Sequence, residues 1–145
     1  MTVDVSTETI IARPRSDVAE YAANPDNAPN WYTNIKSVEW KTPMPLHVGS
    51  KIAFVAQFLG RQLAYTYEVV EYIPGERFVM RTAEGPFPME TTYTCETVAD
   101  GQTRMVLRNR GVPAGFSKWL APFMPMAMRR ANQKDLAALK RRLEG

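Results

Sequence analysis

Apolar and polar residues alternate in short runs from Gly49 to Arg110, and a Gly, Pro or Asp-Gly signal closes each run. Residues 50–58 set Ile52, Phe54, Ala56 and Phe58 on one side and Lys51 and Gln57 on the other. Gly60-Arg61 turns the chain, and 63–72 groups Leu63, Tyr65, Tyr67 and Val69 opposite Thr66 and Glu68. After Pro74-Gly75, residues 77–82 put Phe78 and Met80 together. Gly85-Pro86-Phe87-Pro88 leads into Met89, Thr91, Tyr93 and Cys95, alternating with Glu90, Thr92, Thr94 and Glu96. Asp100-Gly101 is a hairpin signal, and the run behind it sets Met105 and Leu107 against Arg104, Arg108 and Arg110. Side chains two apart share one face of a strand, so the rhythm predicts a sheet with a single buried face. Acids outward on one strand and arginines outward on the next predict cross-strand pairs on the wet side.

The flanks complete the architecture. Residues 2–11, rich in Val, Thr and Ile, read as a first strand. Pro14 suits the first turn of a short helix that runs through Val18 and Tyr21 to about Ala23. Asn24-Pro25-Asp26-Asn27 is a turn signal, 28–31 is another helical turn, and 35–41 is the next strand. Strict alternation there puts Ile35, Ser37 and Glu39 on one face and Val38 and Trp40 on the other. Past Gly111-Val112-Pro113-Ala114-Gly115 the period changes to about 3.6, through Trp119, Phe123, Met124, Met128, Leu136, Leu139 and Leu143. Pro122 and Pro125 predict a distorted start before a regular helix over about 126–143. The expected fold is α+β, one domain over 1–145. Its curved antiparallel sheet of six to seven strands wraps around a long C-terminal helix, with two short helices after the first strand. The alternating face has only that helix to bury it, which predicts a space between the layers.

Composition narrows the chemistry. The single cysteine, Cys95, excludes an internal disulfide and reads as a small buried hydrophobe. The lone histidine, His47, lies in a Pro-rich turn, so neither a Ser-His-Asp device nor a zinc site can be assembled from these residue types. No glycine loop with a lysine partner is present to cradle phosphate. No cofactor or metal is called for. A net charge of +3 is mild, and its concentration in Arg129, Arg130, Lys134, Lys140, Arg141 and Arg142 reads as a solvated helix face rather than a nucleic-acid footprint. No apolar run reaches the ~20 residues of a membrane span, and Asp4 and Glu8 interrupt any signal-peptide core, so a cytoplasmic location is expected.

Several stretches resemble one family. They are Thr7-Glu8-Thr9-Ile10-Ile11-Ala12-Arg13-Pro14 with Asp17-Val18 and Tyr21; Asn24-Pro25-Asp26-Asn27 ahead of Trp31; Val48-Gly49-Ser50; Glu71 to Phe78 through Pro74; and the helix ending Leu136, Leu139, Lys140, Leu143 and Glu144. Together with the element order, they make the chain similar to the START-like superfamily with its helix-grip fold. Within it, the likeness is to the small bacterial polyketide cyclase/dehydrase-like proteins, over nearly the whole length. The resemblance implies the fold and a hydrophobic ligand. It transmits no single activity, since such proteins include lipid carriers, aromatase/cyclases and chaperone-associated modules.

The residues expected to line the cavity are Trp31, Phe54, Phe58, Tyr65, Tyr67, Met80, Met89, Tyr93, Met105 and Leu107. Trp119, Phe123, Met124 and Met128 are expected to face them from the terminal segment. Inward tyrosines at 65, 67 and 93 would need polar partners or water, and could donate to a ligand carbonyl. Methionines give a lining that adapts to an irregular guest, or simply fill gaps. Glu71 is the carboxylate that alternation turns inward, at a strand end near solvent, and no second carboxylate is expected to converge on it. Residues 116–128 could close the cavity as a lid or touch a membrane transiently. The leading reading is a noncatalytic binding protein for a lipid, polyketide or aromatic compound. A polyketide cyclase/dehydratase-type enzyme and a protein-interaction module stand beside it, with the chain a monomer or homodimer.

Overall fold

The computed structural model describes residues 2–58, 60–85, 88–112 and 121–145. The chain runs β1 (Val3–Ile11), α1 (Arg15–Ala23), a 3-10 turn (Pro25–Asn27), α2 (Ala28–Trp31), β2 (Ile35–Trp40), β3 (Lys51–Phe58) and β4 (Arg61–Ile73). It continues with β5 (Arg77–Glu84), β6 (Met89–Ala99), β7 (Gln102–Gly111), a 3-10 turn (Ala121–Phe123) and α3 (Met124–Glu144). The strands form one antiparallel sheet in the order β1-β7-β6-β5-β4-β3-β2, so the first strand returns to pair with the last. This is the expected helix-grip arrangement, with seven strands.

Local departures from strict alternation have identifiable causes. A register shift between Ile35 and Ser37 inserts an extra residue into β2, so that Ile35, Val38 and Trp40 all turn toward the core. The expected pairing of Ile35 with Ser37 and Glu39 on one face is thereby corrected. A second shift between Val69 and Glu71 in β4 turns Tyr72 inward, onto Phe78 at 5.7 Å between ring centres. Glu71 goes outward instead, where it accepts a hydrogen bond from Arg77 Nε at 2.7 Å. Pro14 stands just outside α1 as its N-cap, not within the first turn. Pro125 occupies the opening turn of α3, where a missing N–H costs nothing, so the regular helix begins earlier than 126.

Side-chain clips hold α3 against the edge strand β1. Lys140 Nζ donates to the Ile10 carbonyl at 2.6 Å, and Arg129 Nη1 donates to the Ser6 carbonyl at 3.0 Å. At the C-terminus, Arg13 Nη1 donates to the Leu143 carbonyl at 2.8 Å, and the Ala12 N–H donates to Glu144 Oε2 at 2.7 Å. The bonds to Ile10 and Ser6 cover carbonyls that an edge strand otherwise leaves open to another chain. Arg129 and Lys140 are thus clamps rather than members of a purely solvated face. On the outer surface, Glu90 takes Arg81 Nη2 at 2.9 Å and Arg110 Nε at 3.0 Å, and Arg108 forks onto Asp4 at 2.9 and 2.6 Å. Those are the cross-strand pairs expected, and exposed pairs of this kind contribute only ~0.2–1 kcal/mol each.

The interior divides into two apolar clusters. One, at the α1 and α2 end, joins Ile11, Val18, Trp31, Phe78, Met105, Leu107, Leu136 and Leu139. The other joins Val3, Val5, Leu63, Tyr65, Met89, Met124 and Met128 at the N-terminal end of α3. A space lies between sheet and helix, with residues of both clusters on its wall.

Candidate ligand-binding cavity

A cavity of about 150 Å³, partly open to solvent, lies under α3. Its sheet wall comes from Phe54, Ala56 and Phe58 on β3, Leu63, Tyr65 and Tyr67 on β4, and Met80 on β5. Met89, Thr91 and Tyr93 on β6 and Asn109 on β7 continue that wall. The helix wall is Met124, Met128, Ala131, Asn132 and Asp135, and Tyr32 and Asn34 from the segment joining α2 to β2, with Ile35 at the start of β2, complete the lining. The alternation of each strand and the stripe 124, 128, 131, 132, 135 on α3 aim these side chains at one volume. Small residues meet across it: Ala56 on the sheet and Ala131 on the helix supply little bulk, and the gap remains unfilled. An aromatic wall with centroid distances of 5.7 Å (Phe54–Tyr67) and 5.8 Å (Tyr65–Tyr67) keeps the sheet side stiff.

Of the expected lining residues, Phe54, Phe58, Tyr65, Tyr67, Met80, Met89, Tyr93, Met124 and Met128 come together on this wall. Met105 and Leu107 face the same way but are 0% exposed in the closed cluster, because Leu136 and Leu139 fill the room beside them. Trp31 is likewise core, stacked on Tyr32 at 4.1 Å and edge-on to Tyr93 at 5.6 Å. Phe123 caps α3 from outside and is 58% exposed; its neighbour Met124, one helical step on, takes the inward position. Trp119 and the first part of the expected lid, 116–120, lie outside the described residues.

Polar groups gather where the helix meets β6 and β7. The Thr91 hydroxyl donates to Asn109 Oδ1 at 2.6 Å, and Asn109 Nδ2 donates to Asn132 Oδ1 at 3.1 Å. The relay ends on Asn132 Nδ2, a buried amide donor without a partner, on a residue only 4% exposed. One helical turn away, Asp135 Oδ1 accepts from the Thr33 N–H at 3.0 Å and from the Thr33 hydroxyl at 3.2 Å. Burial pushes the Asp135 carboxyl up to about 6, and the two Thr33 bonds hold it from rising further. The hydroxyls of Tyr32 and Tyr93 bond each other at 2.5 Å. Burial raises the phenols of Tyr32, Tyr65 and Tyr93 far above their ordinary range. Tyr67 is pushed up to about 12 by burial, and its hydrogen bond with Thr91 works against that rise. All are therefore neutral near pH 7, available as donors and acceptors rather than as bases.

Sequence reasoning missed Tyr32, Asn34, Asn109, Asn132 and Asp135. Their signal was present: Asn109 continues the alternation of Met105 and Leu107, while Asn132 and Asp135 fall four and seven positions after Met128, on the buried stripe. A polar residue inside an apolar period marks a buried polar site. Among the described residues, the carboxylate on the wall is therefore Asp135, not Glu71. Among the described residues no group of three or more His, Cys, Asp or Glu is placed to hold a metal ion. Nor is any described helix long and apolar enough to cross a membrane. Burial raises the Cys95 thiol to about 11, which leaves it unreactive near neutrality.

A family model described as "Polyketide cyclase / dehydrase and lipid transport" matches residues 2–144. The chain belongs to this family. Solved structures agree on the polyketide cyclase-like fold. A START superfamily protein from Mycobacterium smegmatis superposes with a TM-score of 0.83 at 13% identity, covering 97% of both chains. The Zhui aromatase/cyclase from Streptomyces sp. R1128 gives 0.82 at 16% identity over 99% of this chain and 94% of that one. A major latex-like protein from Panax ginseng gives 0.77 at 13% identity over 99% of each. At such identities the likeness establishes the fold alone. No curated protein matches the chain.

Proposed function

We propose that this member of the polyketide cyclase family binds a compact hydrophobic molecule in the cavity under α3. The observation that carries the reading is an apolar hollow, walled by Phe54, Phe58, Met80 and Met128, that the protein's own side chains leave open. Its size decides among the candidate guests. An apolar cavity of about 150 Å³ is large enough to bind benzene, whereas drug-sized ligands occupy roughly 300–1,000 Å³. A single-ring aromatic or a short acyl group fits within the walls, while a long fatty acid or extended polyketide needs room beyond them.

Titrating the protein with ethylbenzene while following tryptophan emission tests the reading, because Trp31 packs on Tyr32 and Tyr93 of the wall. Saturable binding in the micromolar to millimolar range is expected. If ethylbenzene, toluene and benzene all fail to bind up to their solubility limits, the cavity is not a ligand site.

A second reading, a polyketide cyclase/dehydratase-type enzyme, draws support from one feature. Asp135, with a carboxyl near 6, stands on the same wall as Tyr32 and Tyr93, and a group titrating close to the working pH serves as an acid or base. Turnover of a small β-keto compound, lost in Asp135→Asn with folding retained, would favour it.

A further inference from the structure

The polar end of the cavity carries more information than its apolar walls, because it contains an unfinished hydrogen-bond chain. The relay Thr91, Asn109, Asn132 runs in one direction, each side chain donating to the next oxygen. Its last donor, Asn132 Nδ2, is buried and unpartnered, on a residue that lines the cavity. A buried amide donor left without a partner has lost its water and gained nothing in return, so a guest that supplies an oxygen there recovers that loss. The relay also orients the donor, since Asn109 holds the Asn132 oxygen on the other side.

Charge limits which oxygen fits. Among the described wall residues no Lys, Arg or His is present, and the ionisable carboxylate is Asp135, one helical turn from Asn132. The Arg61 guanidinium acts on Tyr65 from the exposed end of β4 but is not on the wall. A carboxylate guest would be desolvated beside Asp135 with no cation among the described wall residues to meet it. A neutral carbonyl has neither penalty.

Resting on the reading of this cavity as a ligand site, the geometry points to a specific guest: a compact, uncharged carbonyl compound with an apolar body. Its oxygen is received by Asn132 Nδ2, and molecules bearing a carboxylate are excluded. Asn132 is thus the specificity-determining residue, with Asn109 and Thr91 positioning it.

The test compares three near-isosteric probes on the full chain at pH 7 by calorimetry: ethylbenzene, acetophenone and benzoate. Acetophenone is expected to bind about ten-fold tighter than ethylbenzene, and benzoate at least ten-fold weaker than ethylbenzene. In Asn132→Leu the preference for acetophenone over ethylbenzene should vanish. The ranking on the unmutated protein decides the matter even if that variant does not fold. Thr91→Val, which cuts the far end of the relay, should reduce the preference without abolishing it. Equal affinity for acetophenone and ethylbenzene would overturn the carbonyl assignment and leave the hydrophobic cavity standing. Benzoate binding as tightly as acetophenone would overturn the exclusion of anions. Binding of none of the three would overturn this inference together with the cavity reading beneath it.

Discussion

The phenol oxygens of Tyr32 and Tyr93 lie 2.5 Å apart at the cavity wall, joining the segment after α2 to the middle of β6. Both rings are part of the aromatic cluster around Trp31. Each hydroxyl satisfies the other where water is scarce, so the pair acts as a unit. Tyr93→Phe alone should destabilise the protein by about 1–3 kcal/mol, because it strands the Tyr32 hydroxyl. The double change Tyr32→Phe with Tyr93→Phe should cost clearly less than the sum of the single changes. Urea unfolding of the four proteins reads the coupling directly, and strict additivity would show that the bond contributes nothing.

Asp135 sets a pH dependence with a definite sign. Its carboxyl is raised from 3.8 to about 6 in the folded chain, chiefly by burial. The groups facing it, Tyr32 and Tyr93, remain neutral over this range and supply no compensating charge. Between about pH 4 and 6 the folded state therefore holds a proton that the unfolded chain has released, and stability falls as pH rises. Above that window the penalty is constant, at up to about 3 kcal/mol by linkage. Asp135→Asn should be more stable than the parent at pH 7, and the advantage should shrink to nothing near pH 4. Denaturant midpoints across pH 4–8 check this; a variant less stable at neutral pH would mean that the carboxylate is held favourably.

Closed core and open cavity should respond oppositely to changes of volume. Leu107 is 0% exposed in the packed cluster, so Leu107→Ala should cost about 2–5 kcal/mol. Ala131 faces the hollow, so Ala131→Leu should leave stability within about 1.5 kcal/mol while weakening ethylbenzene more than ten-fold. Thermal melts and titrations on the two variants separate the regions. Equal destabilisation by both would place Ala131 in a filled core.

Close approach of backbone at one strand end gives a fourth expectation. A Cβ added at Gly111 would clash with the Pro88 carbonyl oxygen and with Met89 Sδ. Met89 can swing aside, whereas the Pro88 carbonyl belongs to the β6 approach and accepts from the Val112 N–H. Gly111→Ala should therefore destabilise by about 1–3 kcal/mol, measured by denaturant unfolding. An unchanged midpoint would show that this strand end yields easily.

Alternation revealed the sheet and the helical period revealed α3, because both are set by which face is buried. The two bulges were hidden, since an inserted residue alters phase without leaving a composition signal; Ile35 and Glu71 were assigned to the wrong faces for that reason. Inward direction was also legible for Met105, Leu107 and Tyr93 alike. Whether neighbours fill the space beside each one was not, because filling depends on how closely Leu136 and Leu139 approach. The polar end escaped because apolar residues were used to define the stripe, and Asn132 and Asp135 were passed over on it. The pairing of Thr33 with Asp135, far apart in sequence, could only come from the fold.

The methionine methyl groups offer the sharpest single measurement. In a protein labelled at the methionine methyl carbons, a titration with ethylbenzene followed by NMR should shift Met80, Met89, Met124 and Met128, which line the cavity. Met44 and Met126, at 68% and 62% exposed, should stay fixed. Shifts confined to the exposed pair, or no saturable shift at the four wall methyls, would show that nothing enters the space beneath α3.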